Sequence, residues 1–285
     1  MFAQWVAARG ALGDPFREVL RREAFGDEPD EPEVAVSRFP RVEAQSLGAV
    51  RVRVGGRDIP GEAWASTKSK EMFYLFLLHR DGLRKEQAVE HLYPDLDRAK
   101  CNSAFHSNLY RVRRALYQES VVHRDGAYVL NPDGDFEWDL ERFEQLLEEA
   151  RLAPAGSDER AELHTRALEL YRGPFAEAFF SEWAESLRRR TEARAQEAIA
   201  TLGGFYAGRG DFDEAARCMD DLLARNPANE EAAYQLAAYR ARAGRPAGAL
   251  ASIDDFSRLL SREYGEALPE RFRDLRSRIA SGRAV

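Results

Sequence analysis

Gly210 and Gly244 lie in two stretches that align residue for residue, "AGRGDFDEAARCM" from Ala207 and "ARAGRPAGALASI" from Ala241, and Ala215 and Ala249 keep the same spacing of 34 residues. That period is the length of one tetratricopeptide helix pair, and a unit of this kind buries its apolar face only by stacking on a neighbour. "NPANEEAAY" falls between successive pairs, where Asn226-Pro227 stops one helix and the next begins. "ERAELHTRALELYRG" and "EWAESLRRRTEARAQEAIATLGGFYAGRG" read as earlier, more divergent helices of the same array. The C-terminal half is therefore a helical-repeat domain.

The preceding segment follows a different plan. "LGAVRVRV" from Leu47 alternates Val50, Val52 and Val54 with Arg51 and Arg53, the period of a strand with one buried face, and "GG" turns the chain into a small hairpin. "TKSKEMFYLFLLHRDG" sets Met72, Leu75, Phe76 and His79 at helical spacing, with Thr67 as N-cap and Gly82 past the end. A second short helix, "RKEQAVEHLYP", ends at Pro94, and a third, capped by Asp97, runs through "RAKCNSAFHSNLYRVRRAL". "VVHRDGAYVL" then gives two strands joined by Asp125-Gly126, the dipeptide a tight hairpin turn prefers. Hairpin, three helices, hairpin is the plan of a winged helix-turn-helix. The chain divides into an N-terminal helical segment with an acidic, proline-rich linker (1–40), a winged helix (41–135) and a helical-repeat domain (136–285). The fold class is mainly α with small β elements.

The third helix carries the chemistry. Between Arg98 and Leu116 it holds five arginines and lysines and no acid, in a chain of 285 residues with a formal net charge of -7. At about 100° per residue, Phe105, Leu109, Val112 and Leu116 form its core-facing stripe. Lys100, Ser103, Ser107, Tyr110, Arg111 and Arg114 lie opposite, with His106 and Arg113 on the flanks. A solvated helix mixes signs, because opposite charges four residues apart stabilise it. Double-stranded DNA supplies the missing counter-charge: small polar side chains and arginine reach base edges in the major groove, while lysine, arginine and tyrosine hydroxyls reach phosphates. The plainer alternative is a solvated helix end whose arginines favour the C-terminal dipole; it accounts for Arg113 and Arg114 but not for the hydroxyl face. Arg124, at the hairpin tip, is a candidate wing contact to the minor groove or a phosphate. Lys68 and Lys70, at the start of the first helix, are candidate backbone contacts.

Other classes find less support. No Walker-type loop, GxSxG elbow, HExxH or GxGxxG after a strand occurs, so no enzyme, catalytic residue or cofactor is expected. Cys101 and Cys218 belong to no CxxC pair or metal-spaced cluster and read as reduced, small, partly buried side chains, so no metal is expected. His91, His123 and His164 have no convergent partner by spacing. No apolar run approaches a membrane span and the N-terminus lacks the order of a signal peptide, which leads to an expectation of a cytoplasmic protein with no membrane contact.

With both patterns in view, "LLHRDGLRKEQAVEHLYPDLD", "NSAFHSNLYRVRRAL", "GAYVLNP", "WDLERFEQLL", "RALELYRGPF", "EWAESLRRR" and "GRPAGAL" resemble the bacterial transcriptional activators often called SARP, for antibiotic regulatory proteins. The resemblance covers about residues 45 to 280. It implies an OmpR-like winged helix followed by a bacterial transcriptional activator domain, whose third helix enters the major groove at promoter direct repeats. It also implies RNA polymerase as a partner, with the loop Tyr93, Pro94, Asp95, Leu96 and Asp97 as a candidate contact, although Asp95 and Asp97 serve equally as helix caps. Occupation of direct repeats as a homodimer or in tandem follows from the same likeness. Two departures stand out: Ile253 replaces an aromatic found in many relatives, and residues 1–40 look like the tail of a larger helical or ATPase-containing regulator. The competing reading is a helical-repeat adaptor or signal-sensing module whose winged helix makes protein contacts.

Overall fold

The computed structural model describes residues 38–283, apart from the side chains of Arg98 and Ala99. The N-terminal segment and most of the linker read at 1–40 lie outside these residues. Strands β1 (Val42–Gln45), β2 (Arg51–Val54) and β3 (Arg57–Asp58) form an antiparallel meander. The hairpin expected from Leu47 onward is thus the outer part of a sheet that starts earlier. A late strand, β6 (Phe136–Trp138), adds parallel to the free edge of β1. It pairs Val42 with Phe136 and Ala44 with Trp138 across the intervening winged helix.

Between β3 and β6 lie α1 (Gly61–Trp64), α2 (Thr67–Leu78), α3 (Lys85–Leu92), α4 (Arg98–Ala115) and the hairpin β4 (Val121–Arg124) with β5 (Ala127–Leu130). α2 is the central helix, with every residue from Glu71 to Leu77 buried. Its N-cap is Ser66, whose side chain accepts from the Ser69 N–H at 3.1 Å, so Thr67 opens the helix rather than capping it. The turn between β4 and β5 puts Asp125 at φ 52° and Gly126 at φ 79°. Two successive positive values define the primed turn that Asp-Gly favours.

The helical half consists of α5 (Asp139–Leu152), α6 (Asp158–Leu170), α7 (Glu182–Gly208), α8 (Phe212–Arg225), α9 (Glu230–Arg242), α10 (Pro246–Leu259), a π turn (Leu260–Tyr264) and α11 (Glu270–Ala280). The 34-residue period is visible in the backbone: Gly210 and Gly244 take φ 80° and 75° at equivalent turns, and Ala215 and Ala249 are both fully buried. Asn229 caps α9 by accepting from the Ala232 N–H at 3.0 Å. Ile253 is fully buried beside Phe256 and Phe272, so the missing aromatic is replaced by an aliphatic core residue.

One apolar core runs from Val42 through the winged helix to Ala198 of α7. It passes through Trp138 and Leu140, on either side of which the two units meet. The joint is also polar. Asp139, first residue of α5, accepts from the Ser46 N–H and Oγ–H at 2.9 Å and from the Leu47 N–H at 3.0 Å. Trp138 Nε1 donates to Ser46 Oγ at 2.8 Å. Arg188 of α7 donates to the carbonyls of Phe175, Ala176 and Phe179, fixing the loop that in turn pairs Leu47 with Phe175.

Two histidines give this core a pH dependence. Both ring nitrogens of His164 are buried without a hydrogen-bond partner, and burial, aided by Arg160 and opposed by Glu197, lowers its pKa below the ordinary 6.5. His79 is lowered by burial and then by His91, which stacks on it with ring centroids 5.9 Å apart. A histidine whose folded pKa lies below the unfolded value is held neutral, so stability is full above about pH 6.5 and declines as pH falls through that value toward the folded pKa. Urea unfolding midpoints should drop between about pH 7.5 and pH 5.5. His164→Leu should lose less over that interval, and equal losses in variant and parent would remove His164 from the account.

Candidate nucleic-acid interface

α4 is held by its apolar stripe: Phe105, Leu109, Val112 and Leu116 are buried, as their spacing requires. The wing is clamped to the same helix. Tyr128 packs on Phe105 with centroids 4.9 Å apart, and Leu83 and Tyr128 exchange backbone hydrogen bonds of 2.9 Å, which adds a third short strand to the hairpin. Helix and wing therefore form one rigid surface.

On that surface Lys100, Ser103, His106, Ser107, Tyr110 and Arg114 are exposed, Tyr110 to 60%. Among the described residues no carboxylate pairs with Lys100, Arg111 or Arg114. In the helical array, by comparison, Arg142, Arg151, Arg194, Arg217, Arg240 and Arg271 each meet an aspartate or glutamate. Arg124 stands at the wing tip with its side chain 69% exposed and Asp125 at 3.9 Å, a weak, water-screened contact.

Several expected contacts are engaged within the protein instead. Arg113 turns away from the outer face and donates Nε and Nη2 to the Val121 carbonyl at 3.0 and 2.8 Å, anchoring the start of the wing. Lys68 pairs with the buried carboxylate of Glu71 at 2.9 Å, and Glu71 also accepts from Ser181 of the helical half. Tyr93 is half-buried; its hydroxyl accepts from Asn108 Nδ2, and burial raises its pKa. Asp95 and Asp97 are exposed, and the Asp97 carbonyl accepts from the N–H groups of Lys100 and Cys101 as α4 begins.

A buried polar side chain beneath this face is not among the residues expected from sequence. Asn108 is buried on α4, donates to the Ala104 carbonyl at 3.0 Å, and offers Oδ1 to Ser66 Oγ at 2.9 Å and to Arg111 Nη1 at 3.1 Å. It orients the half-buried Arg111. The signal was present, since Asn108 lies about 60° around the helix from Phe105, inside the apolar arc, where a polar residue requires partners.

Among the described residues no group of histidine, cysteine and acidic side chains has the arrangement of a metal site, and Cys101 and Cys218 are free thiols. Burial, reinforced by Glu214 and Asp221, pushes the Cys218 thiol up to about 11. No helix among the described residues is long and apolar enough to cross a membrane.

The geometry defines a class first: a winged helix with an exposed cationic face on its third long helix, joined through a continuous core to a helical-repeat array. Residues 138–280, just over half of the chain, match the family model described as bacterial transcriptional activator domain, and the chain belongs to that family. Over 262 residues, 88% of its length, it is 27% identical to the regulatory protein AfsR of Streptomyces coelicolor, of which it spans 26%. The chain thus covers about a quarter of that curated relative. Its fold is similar to that of Mycobacterium tuberculosis EmbR in complex with a low affinity phosphopeptide, with a TM-score of 0.68, 16% identity, and coverage of 86% of this chain and 66% of the other. The bacterial transcriptional activator domain implied by the resemblance is the family matched, and the fold likeness agrees with a winged helix followed by helices.

Proposed function

We propose that the chain is a sequence-specific DNA-binding transcription activator acting in the cytoplasm. α4 reads bases in the major groove through Ser103, Ser107, Tyr110 and Arg111, while Lys100, Arg114 and Arg124 hold phosphates; His106 borders the groove face. Residues 41–135 form the DNA-binding unit and 136–285 the unit for self or partner contacts. Promoter direct repeats are occupied by a homodimer or by copies in tandem, and RNA polymerase is recruited through the exposed Asp95 and Asp97 side of the α3–α4 loop. The single observation that carries the reading is the acid-free outer face of α4, on which Lys100, Tyr110 and Arg114 are exposed.

Selection of bound sequences from a random duplex library tests it, with the Arg111→Ala/Arg114→Ala double variant in parallel. Enrichment of a repeated motif by the parent and its loss in the variant is the expected result. Absence of a motif in both would favour the adaptor reading, in which the exposed Tyr110 face meets protein.

A further inference from the structure

A side-chain amide has two N–H donors and two acceptor lone pairs, and buried Asn108 engages all of them. Nδ2 donates to the Ala104 carbonyl at 3.0 Å and to the Tyr93 hydroxyl, while Oδ1 accepts from Ser66 Oγ at 2.9 Å and from Arg111 Nη1 at 3.1 Å. The two orientations of this amide are not equivalent. The Ala104 carbonyl only accepts and the Arg111 guanidinium only donates, so the chemistry of the partners fixes which end faces Arg111. Ala104 and Arg111 belong to α4 itself, whereas Ser66 and Tyr93 reach Asn108 from other elements. Ser66 is the N-cap of α2. Tyr93 closes α3 and opens the α3–α4 loop: its N–H donates to the Val89 carbonyl at 2.8 Å, and its carbonyl accepts from the Leu96 N–H at 3.2 Å. Its backbone is thus held on both sides.

Arginine is long and rotamer-rich, and its guanidinium discriminates between base edges only when the donor fork points one way. Asn108 Oδ1 directs the half-buried Arg111, but it can do so only while the amide plane is itself held. The Tyr93 hydroxyl supplies that hold from outside the helix, at the Nδ2 end. Burial, opposed by the Asn108 hydrogen bond and reinforced by Glu71, raises the Tyr93 pKa, and Arg111 lies near enough to act against the rise. The hydroxyl is therefore neutral at physiological pH and remains an acceptor for Nδ2. We propose that Tyr93 is a positioning residue for base reading: through Asn108 its hydroxyl sets the direction of the Arg111 guanidinium, and the α3–α4 loop thereby governs how sharply α4 discriminates between bases. The inference rests on the base-reading role proposed for Arg111. It gives Tyr93 a function that needs no partner on the loop, and a displacement of the loop reaches the reading face through one amide.

Duplexes selected by the whole parent chain, and the same duplexes with each base pair replaced in turn, are the probes, titrated at several salt concentrations. Tyr93→Phe deletes one oxygen and keeps the ring. It should lower the preference at the base pair read by Arg111 about threefold, with the slope of log K against log salt unchanged. Asn108→Leu should lower the same preference about tenfold. Added to Arg111→Ala, Tyr93→Phe should change nothing further, because the path ends at Arg111. A merely structural role for Tyr93 would weaken all duplexes alike and add to Arg111→Ala. Loss of preference in Arg111→Ala, with Tyr93→Phe either like the parent or additive, overturns the inference and leaves Arg111 as a base reader. Full preference in Arg111→Ala, or no selected duplex at all, overturns both. Should Asn108→Leu fail to fold, Tyr93→Phe and its combination with Arg111→Ala still decide the matter.

Discussion

Asp139→Ala should lower the unfolding free energy by about 3–5 kcal/mol, one of the largest single-residue losses this chain can show. The carboxylate accepts from four donors: the N–H and Oγ–H of Ser46, the Leu47 N–H, and the Leu140 N–H at 2.8 Å. Ser46 is fully buried and Leu47 nearly so, and water cannot replace the lost acceptor at either. Each stranded donor costs about 1–3 kcal/mol, and the removed side chain leaves a void next to Trp138. Burial raises the Asp139 pKa, with hydrogen bonds from Leu47 and Ser46 opposing it. The site thus charges a desolvation cost for the carboxylate and returns part of it in hydrogen bonds, which makes the conservative variant informative. Asp139→Asn keeps one acceptor oxygen but turns an NH₂ toward a backbone N–H, and should fall between parent and alanine. Urea unfolding followed by far-ultraviolet circular dichroism measures the series; a loss under about 1 kcal/mol for alanine would show that the β1–β2 loop is held by packing alone.

Asp139 also marks the limit of what the sequence discloses. The α4 stripe was legible because Phe105, Leu109, Val112 and Leu116 repeat at the period of a helix, and their burial follows from backbone geometry. The wing turn was legible because Asp125-Gly126 tolerates two positive φ angles that other pairs resist. Both signals are local. The parallel pairing of β6 with β1 is not: Trp138 reaches Ser46 across 92 positions, and nothing in "DFEWD" distinguishes the end of a wing from the closing strand of a sheet. The same distance hides the role of Glu71, whose partner Ser181 lies beyond the whole winged helix. Ser66 caps α2 because its side chain accepts from the Ser69 N–H, and sequence cannot choose it over Thr67 when two hydroxyl residues are adjacent. Helical angle alone sets Arg113 on the flank of α4, and only the position of β4 shows that its guanidinium serves the wing.

Within the proposed function, DNA affinity should divide cleanly between two kinds of arginine. Arg114 and Arg124 carry no ion pair closer than 3.9 Å and sit at the C-terminal end of α4 and at the wing tip, where the duplex backbone would run. Each phosphate neutralised releases counterions and adds about 0.9 to the slope of log K against log salt. Arg114→Ala/Arg124→Ala should therefore flatten that slope by about 2 units and weaken selected and unselected duplexes alike. Arg111 is different, because Asn108 Oδ1 at 3.1 Å holds its guanidinium in a defined direction, and a fixed donor fork discriminates between base edges. Arg111→Ala should reduce preference for the selected motif by about 1–3 kcal/mol at one base pair while changing the slope little. Titrations of fluorescent duplexes at several salt concentrations measure both quantities on the same samples. If Arg111→Ala flattened the slope and left the motif preference intact, its role would be phosphate contact, and base reading on α4 would fall to Ser103, Ser107 and Tyr110.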